Sequence, residues 1–346
     1  MNNDRIQEIL DLMEEARLDY FLISDPQSIA YCTGYYNDPH ERMFVFMISK
    51  HGNHTLFMND LFYLDHDLDV NIVWHKDGQD AIQTIVDEMH FPGRIGIDKN
   101  WASHFLLDLM KKLPDAKYIN ASPCVDLVRM KKDLQEQVLM IESSKINDAV
   151  MEEIIPFIQE GVTEKQLAKK LDELFFKHHS TCYGAIVAFG KNAADPHHEN
   201  DDTLLRKGDC VLIDMGCVYK GYCSDMTRTF FYEGILEEEI KVYEIVKKAN
   251  EAAEAMIKPG VKLSDIDKCA RKVISDEGYG KYFTHRLGHF IGRDVHEYGD
   301  VSSVNEMEVE EGMIFSIEPG IYLEGNFGVR VEDLVMVTKD GCQVLN

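Results

Sequence analysis

Residues 211–231 constrain the chain most, because they place two acids on what reads as a single β-hairpin. Two β-rich runs flank a tight turn. If the two-fold axis of the hairpin lies between Tyr219 and Lys220, Asp214 and Asp225 face each other on one side of the sheet. Facing carboxylates repel each other unless a cation or a proton separates them. The spacing therefore predicts a site that other parts of the chain complete.

Composition narrows the class of protein. A length of 346 residues predicts two domains, and a net charge of −25 argues against non-specific binding to nucleic acid or anionic membranes. The N-terminus is polar, so no signal peptide is expected, and no apolar run approaches the roughly 18 residues of a membrane span. The eight cysteines are scattered, without a Cys-x-x-Cys pair, and are typical of a reduced, cytoplasmic protein.

The first 125 residues predict a small α/β domain. Strand patterns are expected at 19–23, 43–49, 55–58, 71–74, 94–98 and 118–121, with helices at 5–18, 79–89 and 104–113. The loop 35–42 is crowded with charged and aromatic groups, including Asp38, His40 and Arg42. It is either a solvated loop or a lid that binds substrate over an active site, in its own chain or in a partner subunit.

Residues 126–346 change to a pattern of long helices, at 135–158 and 164–178, before the first acidic hairpin. A similar order follows, with helices at 236–257 and 264–276 and a hairpin at 313–337 centred near Gly325. In that hairpin Glu318 and Glu332 are expected to face each other. The repeated plan predicts two pseudo-two-fold halves that bring both acidic pairs to one centre.

Several histidines precede the second acidic hairpin, in a segment rich in glycine. His285 and His289 are four residues apart, but the glycines favour a loop, and the His-Glu-x-x-His pattern of zinc proteases is absent. The order Asp214, Asp225, His289, Glu318, Glu332 resembles the pita-bread metallopeptidases, which include prolidase, aminopeptidase P and methionine aminopeptidase. Residues 1–125 are similar to the N-terminal domain that prolidase, aminopeptidase P and creatinase share.

The resemblance implies a fold and a metal centre. The expected fold is α/β (α+β), with a creatinase-like N-terminal domain at 1–125 and a pita-bread catalytic domain with antiparallel hairpins at 126–346. The five matched residues would hold two divalent ions, whose charge of +4 offsets that of four carboxylates. Oxygen-rich ligation with one imidazole suits Mn²⁺ first, with Co²⁺, Fe²⁺ and Zn²⁺ as alternatives.

Other residues match family positions. The resemblance implies that His197 lies near the substrate carbonyl, with His198 as a less favoured alternative, and that His296 hydrogen-bonds the tetrahedral intermediate. Glu318 would act both as a metal ligand and as a proton shuttle. His285 is expected beside the substrate, and Arg330 is expected to orient a ligand.

The implied reaction is the hydrolysis of Xaa-Pro bonds, with dipeptides favoured over longer peptides. A dipeptidase holds the C-terminal carboxylate of proline, for which arginine is suited. Residues 298–303, where some prolidases carry an arginine, hold no base, so Arg293 is the expected substitute. The main alternative is an Xaa-Pro aminopeptidase. An alternative of another class is a non-catalytic peptide-binding module, and the resemblance also implies a homodimer.

Overall fold

A computed structural model describes residues 1–90 and 92–346 of the chain. Two compact units form, Met1–Arg129 and Met130–Asn346. The predicted boundary between residues 125 and 126 falls inside the helix Pro123–Met130, whereas the contacts divide the chain between residues 129 and 130. None of the helices in these described residues is long and apolar enough to cross a membrane.

The first unit is a six-stranded sheet with helices packed on both faces. Its strands are β1 (Tyr20–Ile23), β2 (Val45–Ser49), β3 (Thr55–Asn59), β4 (Asn71–His75), β5 (Arg94–Ile97) and β6 (Lys117–Asn120). Its helices are α1 (Asn3–Glu15), α2 (Pro26–Thr33), α3 (Ala81–Glu88), α4 (Ser103–Lys112) and α5 (Pro123–Met130). The sheet order is β4-β3-β2-β1-β5-β6, and only the β1–β2 and β2–β3 pairs are antiparallel. The six predicted strands are confirmed.

Alternate residues of β1 enter two separate cores. Phe21 and Ile23 pack in one apolar cluster, and Tyr20 and Leu22 pack in the other. The pattern follows from the period of two along a strand, because successive side chains point to opposite faces of the sheet. A central strand buried on both faces is what the uninterrupted apolar run at its sequence predicts.

The second unit contains two helix pairs and several short antiparallel sheets. Its helices are α6 (Leu134–Ile154), α7 (Glu164–Lys177), α8 (Glu237–Glu254) and α9 (Leu263–Asp276). The strands of the first half are β7 (Thr181–Cys182), β8 (Ile186–Phe189), β9 (Cys210–Met215), β10 (Cys217–Tyr219), β11 (Tyr222–Cys223) and β12 (Met226–Phe231). Those of the second half are β13 (Gly288–His289), β14 (Asp300–Val301), β15 (Ile314–Ile317), β16 (Gly320–Leu323), β17 (Phe327–Arg330), β18 (Asp333–Val337) and β19 (Cys342–Val344).

The two halves of this unit repeat at the level of single hydrogen bonds. In the first half the amide of Gly161 donates to Leu205, whose own amide donates to the carbonyl of Val162. In the second half Gly260 donates to Val309, whose amide donates back to Val261. Both glycines have positive φ, 84° and 86°, which glycine adopts without steric cost. The repeat predicted from the sequence therefore extends to the turn that joins each helix pair.

The predicted register of the first hairpin is wrong by two residues. Asp214 pairs with Thr227, and the pairing of β10 with β11 has the same register. The axis lies between Lys220 and Gly221, where both residues have positive φ, as a two-residue type I′ turn requires. Asp225 lies in the break between β11 and β12, so it is diagonal to Asp214 and not opposite it.

The predicted register of the second hairpin is confirmed. β15 pairs with β18 and β16 pairs with β17 around Gly325, which has a φ of 76°. The pairs Ile317–Asp333 and Gly320–Arg330 enclose the interruption that contains Glu318 and Glu332. The first hairpin thus breaks its ladder at Asp225 and the second at Glu318 and Glu332, whereas Asp214 lies within the continuous strand β9.

Candidate metal centre

Three carboxylates surround the imidazole of His289. The Nε2 atom of His289 lies 3.5 Å from Asp225 Oδ2, 3.8 Å from Glu318 Oε1 and 3.9 Å from Glu332 Oε1. Asp225, His289 and Glu332 are at most 5% exposed. Charges this deeply buried are costly unless they are paired or bind metal. The structure therefore brings together, in one buried cluster, residues that are more than a hundred positions apart in the chain.

The backbone around His289 turns one ring nitrogen toward the acids. Its Nδ1 donates to the carbonyl of Phe290 at 3.2 Å, and its main-chain amide donates to Ser316 Oγ at 3.0 Å. Because Nδ1 carries the proton, Nε2 presents its lone pair to the cluster. Gly288 is required here, since a Cβ at this position would lie 1.9 Å from the carbonyl oxygen of Ser316.

Thr227 holds the acids of the two hairpins together. Its carbonyl accepts the amide of Glu332 at 3.1 Å, and its hydroxyl donates to Glu332 Oε2 at 2.7 Å. Arg330 lies in the same network, with Nε on Thr227 Oγ1 at 3.0 Å and Nη2 on Asp214 Oδ2. Arg330 is 2% exposed, whereas the Asp214 side chain with which it pairs is 22% exposed. The orienting role of Arg330 stays a prediction.

Burial and mutual repulsion raise the pKa values of three of these acids, Asp214, Glu318 and Glu332. Burial is the largest cause for Asp214, whose pKa rises to about 6 although Arg330 opposes the shift. Burial raises the pKa of Glu318 to about 7 and that of Glu332 well above its ordinary range, with neighbouring carboxylates contributing. Without a bound cation, these carboxyl groups therefore favour their protonated, neutral forms.

The residues fit divalent cations. The distances of 3.5 to 3.9 Å around His289 are too long for hydrogen bonds. They suit groups that share an ion, because two ligands about 2.1 Å from one ion lie roughly 3–4 Å apart. Oxygen donors with one imidazole match the preferences of Mn²⁺ and Fe²⁺. The candidate ligands are Asp214, Asp225, His289, Glu318 and Glu332.

His285 is fixed at the end of a second hydrogen-bond chain. Its Nδ1 lies 2.7 Å from the carbonyl of Arg286, and its Nε2 lies 2.8 Å from the hydroxyl of Tyr322. A carbonyl only accepts, so Nδ1 is protonated and Tyr322 donates to Nε2, while the hydroxyl oxygen accepts from Arg330 Nη1 at 3.0 Å. Burial is the main cause that lowers the pKa of His285 to about 4. The chain thus connects His285 through Tyr322 and Arg330 to Asp214.

The other two predicted histidines lie beside this centre. The ring of His296 packs edge-on against His289, with 4.3 Å between the centroids. His197 is exposed and follows Pro196, whose carbonyl accepts from Arg330 Nη1 at 3.4 Å. The charge of His197 is among the causes that lower the pKa values of both His285 and His296.

His198 has a different role from His197. Its Nε2 donates to Glu164 Oε2 at 2.6 Å, which commits the ring to a buried carboxylate in α7. The contacts therefore favour His197 over His198 as the histidine that faces substrate.

The remaining predicted substrate contacts are Arg293 and the loop residues Asp38, His40 and Arg42. The guanidinium of Arg293 lies over the ring of Tyr222, 5.4 Å from its centroid, and beside Gly221 at the tip of the first hairpin. Asp38, His40 and Arg42 belong to the first unit. There Arg42 makes a bidentate ion pair with Asp77, at 3.0 and 2.9 Å, and the amide of His40 donates to Asp38. Their part in substrate binding stays a prediction.

Sequence reasoning missed several residues that support the site. Asn147 of α6 donates to the carbonyl of Met215, and Asn250 of α8 donates to the carbonyl of Ile317. Each contact lies one residue from a candidate ligand. The buried face of α6 holds polar side chains beside apolar ones, namely Glu136, Ser143, Ser144 and Asn147. A buried polar residue on a helix carries no motif that distinguishes it from an exposed one.

Comparisons with known proteins agree with this geometry. The model of metallopeptidase family M24 matches residues 138–339, and that of the creatinase/prolidase N-terminal domain matches residues 5–131. An uncharacterized peptidase of Staphylococcus aureus is 35% identical over 99% of this chain and 98% of its own length.

Solved structures of two dipeptidases are similar to this chain over nearly its full length. A dipeptidase from Pyrococcus horikoshii OT3 is 36% identical, with a TM-score of 0.92, covering 99% of this chain and 97% of that one. An Xaa-Pro dipeptidase from Bacillus anthracis is 28% identical, with a TM-score of 0.92, covering 99% of this chain and 96% of that one. The chain belongs to metallopeptidase family M24, with a creatinase/prolidase N-terminal domain before its catalytic domain.

Proposed function

We propose that the protein hydrolyses Xaa-Pro dipeptides with two divalent cations, most suitably Mn²⁺. The carrying observation is that three carboxylates converge on one buried imidazole, with Asp214 linked to them through Arg330, in a family whose members are metallopeptidases. The similarity to an Xaa-Pro dipeptidase over nearly the whole chain supports the substrate class. The proposed ligands are Asp214, Asp225, His289, Glu318 and Glu332.

The mechanism assigns a task to each side chain. Two cations held by the proposed ligands would supply activation of a water molecule and polarisation of the scissile carbonyl. Glu318 takes the proton of the attacking water and delivers it to the leaving nitrogen of proline. His296 donates a ring N–H to the developing oxyanion. Its side chain is exposed, but desolvation on the side that packs against His289, together with the charge of His289, lowers its pKa and favours the neutral imidazole. His197 acts on the same oxygen, and Asp214 binds the free α-amino group of the substrate.

The supporting network keeps these groups in place. Arg330 holds Asp214 on one side and Tyr322 on the other, so the carboxylate is oriented before substrate arrives. His285 accepts the Tyr322 hydroxyl and thereby fixes which way that hydroxyl points. Substrate contacts to His285 and Arg330 are part of the proposal.

One assay tests the function. Mn²⁺-loaded protein is given an Xaa-Pro dipeptide beside a tripeptide with proline at the second position. We expect release of proline from the dipeptide at a rate well above that from the tripeptide. Equal or faster cleavage of the tripeptide identifies an Xaa-Pro aminopeptidase, and no cleavage of either contradicts the proposed function.

The aminopeptidase alternative has one observation in its favour. A dipeptidase needs a group for the C-terminal carboxylate, and the candidate Arg293 lies against Tyr222 at the hairpin tip. Replacing Arg293 by alanine is expected to raise KM for Xaa-Pro dipeptides and to leave kcat for a tripeptide unchanged. An unchanged KM removes the carboxylate role of Arg293. Metal analysis of the purified protein tests the non-catalytic alternative, which predicts no bound ions.

Assembly and location are further parts of the proposal. A homodimer is supported by the family resemblance, with the loop that carries Asp38, His40 and Arg42 placed over a partner's site. A cytoplasmic location is supported by the eight free cysteines, which suit a reducing compartment. Sedimentation of the Mn²⁺-loaded protein at micromolar concentration tests for the homodimer, and cell fractionation tests for the cytoplasmic location.

A further inference from the structure

A buried carboxylate outside the metal centre has four hydrogen-bond donors around it. Glu164 is the first residue of α7 and is fully buried. Its Oε1 accepts from the amide of Phe189 at 2.8 Å and from Asn192 Nδ2 at 2.9 Å. Its Oε2 accepts from His198 Nε2 at 2.6 Å and from the amide of Asp201 at 3.0 Å. One side chain therefore holds the segment 189–201 at four points.

These contacts identify a hydrogen-bond hub and not a second metal site. Glu164, His198 and Asp201 lie close enough together to suggest a cation. Each oxygen of Glu164 already accepts two hydrogen bonds, which uses the lone pairs that a cation would need. His198 points a ring nitrogen at the carboxylate itself, and Asp201 accepts the amide of Thr203 at 2.7 Å. The donors supply what the buried carboxylate requires.

The segment that Glu164 holds carries His197. The main-chain amide of His197 donates to Asp195 Oδ1 at 3.0 Å, while its side chain is exposed. The position of the ring therefore depends on the path of the backbone. That backbone touches the metal centre at the neighbouring residue, because the carbonyl of Pro196 accepts from Arg330. After His197 in the same segment, the side chain of Asn200 is fixed to β8 and to the residue before it. Its Oδ1 accepts from the main-chain amide of Val187, and its Nδ2 donates to the carbonyl of Ala185.

We propose that Glu164 is a positioning residue that fixes segment 189–201 and so presents the His197 ring to substrate. This inference rests on the proposed role of His197 in Xaa-Pro hydrolysis. Glu164 has no contact with the five candidate ligands among its hydrogen bonds. Loss of the Glu164 carboxylate is therefore expected to change the position of the His197 ring. The candidate metal ligands are expected to stay in place, because other contacts hold them.

The test replaces Glu164 by glutamine, which keeps the shape and places an NH₂ group against two donors in either orientation. We expect kcat for an Xaa-Pro dipeptide to fall about tenfold, with KM and Mn²⁺ affinity within about twofold of wild type. In a His197→Ala background the same change is expected to alter kcat by less than about twofold. Additive losses in the two backgrounds overturn the proposal, because Glu164 would then act without His197.

Hydrogen exchange gives a readout that does not depend on activity. Exchange of the amides in 190–200 is expected to be faster in Glu164→Gln than in wild type. Unchanged exchange overturns the proposal whatever the activity of the variant. Wild-type protein that is inactive on Xaa-Pro dipeptides overturns the proposed function, and the exchange result still shows whether Glu164 fixes the segment.

Two further variants control for folding. Glu239→Gln changes another buried glutamate in the first turn of a helix, whose carboxylate accepts the amide of Leu236 at 2.7 Å. It is expected to leave kcat and the exchange of 190–200 unchanged. Should Glu164→Gln not fold, Asn192→Ala removes one of the four donors and is expected to lower kcat about threefold with faster exchange. Wild-type kcat and exchange in Asn192→Ala then contradict the proposal.

Discussion

His289 shows how a single residue is prepared for metal. Its Nδ1 proton is committed to the carbonyl of Phe290, and Gly288 lets the backbone approach Ser316 closely enough to hold the ring. The remaining nitrogen faces Asp225, Glu318 and Glu332, and those acids favour a positive charge at that point. The orientation is set by main-chain bonds, so it exists before any ion binds.

His285 makes a pH-dependent contribution to stability. Its pKa falls from 6.5 to about 4 on folding, mainly because burial disfavours the imidazolium. Between those values the unfolded chain binds a proton that the folded chain does not, so stability falls as the pH falls. In His285→Gln the loss of stability from pH 6.5 to 4 should be smaller, by up to about 1.4 kcal/mol per pH unit.

Urea unfolding of metal-free protein at several pH values measures this difference. Replacing the exposed His51 by glutamine is the control and should keep the wild-type slope. Equal slopes for wild type and His285→Gln would contradict the buried, neutral state of His285.

Some residues of the candidate site could be predicted from the sequence, and others could not. The candidate ligands were found because acids on apolar strands and a Gly-His pair form a recognisable order. Tyr322 and Thr227, which connect the ligands to Arg330, were missed because one tyrosine or threonine on a strand has no signature of its own. Their role follows only from which strands become neighbours in the fold.

At the scale of elements, the two acidic hairpins differ in how well the sequence predicts them. Gly325 alone marks the tip of the second hairpin, and its register was predicted correctly. At the first tip, the axis was placed one residue too early, which shifts every facing pair by two. Helix α2 was also missed, although Asp25 caps it and Pro26 occupies its first position, because its interior is rich in β-branched and aromatic residues.

The first hairpin tip is predicted to be sensitive to substitution. Gly221 has a φ of 84°, and a Cβ there would lie 3.3 Å from the Arg293 guanidinium. Gly221→Ala should therefore lower the free energy of unfolding by about 1 kcal/mol or more. Lys220→Asn is the matched variant, because asparagine accepts positive φ readily, and it should raise stability by up to about 1 kcal/mol. Thermal unfolding checks both, and a Gly221→Ala protein of wild-type stability would contradict the turn geometry.

The long helix α8 is predicted to tune metal affinity through Asn250. Asn250 is 3% exposed, and its side-chain amide donates to the carbonyl of Ile317 at 3.0 Å. Ile317 directly precedes the candidate ligand Glu318. Asn250→Ala should weaken Mn²⁺ binding about tenfold, because outer-shell contacts orient ligands. Isothermal titration measures the affinity, with the exposed Asn326→Ala as control. Wild-type affinity in a folded Asn250→Ala protein would show that α8 does not position the ligand.

At the scale of the whole molecule, metal binding is expected to be coupled to the release of protons. The metal-free site holds Glu318 with a pKa of about 7 and Asp214 with a pKa of about 6, so both take up protons as the pH falls toward 6. Cations need the ionised carboxylates, so Mn²⁺ affinity should fall as the pH is lowered from 8 to 6, with protons released on binding. Titration in buffers of different ionisation enthalpy counts those protons. Binding without proton release at pH 6.5 would contradict this state of the acids.

The two domains could be predicted from the sequence because the signals for them extend over many residues. These signals are the length, the alternation of strand and helix patterns, and the repeated helix pairs. The meeting of the two acidic pairs was expected from the repeated plan of the two halves. The place of His289 beside them was expected only from the resemblance to a family, since spacing alone does not say which loops meet. The net charge of −25 predicts that Mn²⁺ also binds weakly elsewhere on the surface, so stoichiometry is best measured at physiological salt.

The central claim is that Asp214, Asp225, His289, Glu318 and Glu332 together hold two divalent ions. Its most direct test is the number of Mn²⁺ ions bound tightly per chain, measured by titration of metal-free protein and by elemental analysis after gel filtration. Two ions per chain are expected in wild type, and fewer than one in folded His289→Ala or Asp225→Ala protein, with hydrolysis of the Xaa-Pro dipeptide lost in both. A wild-type chain that retains no ion, or a His289→Ala variant that retains both, would contradict the account.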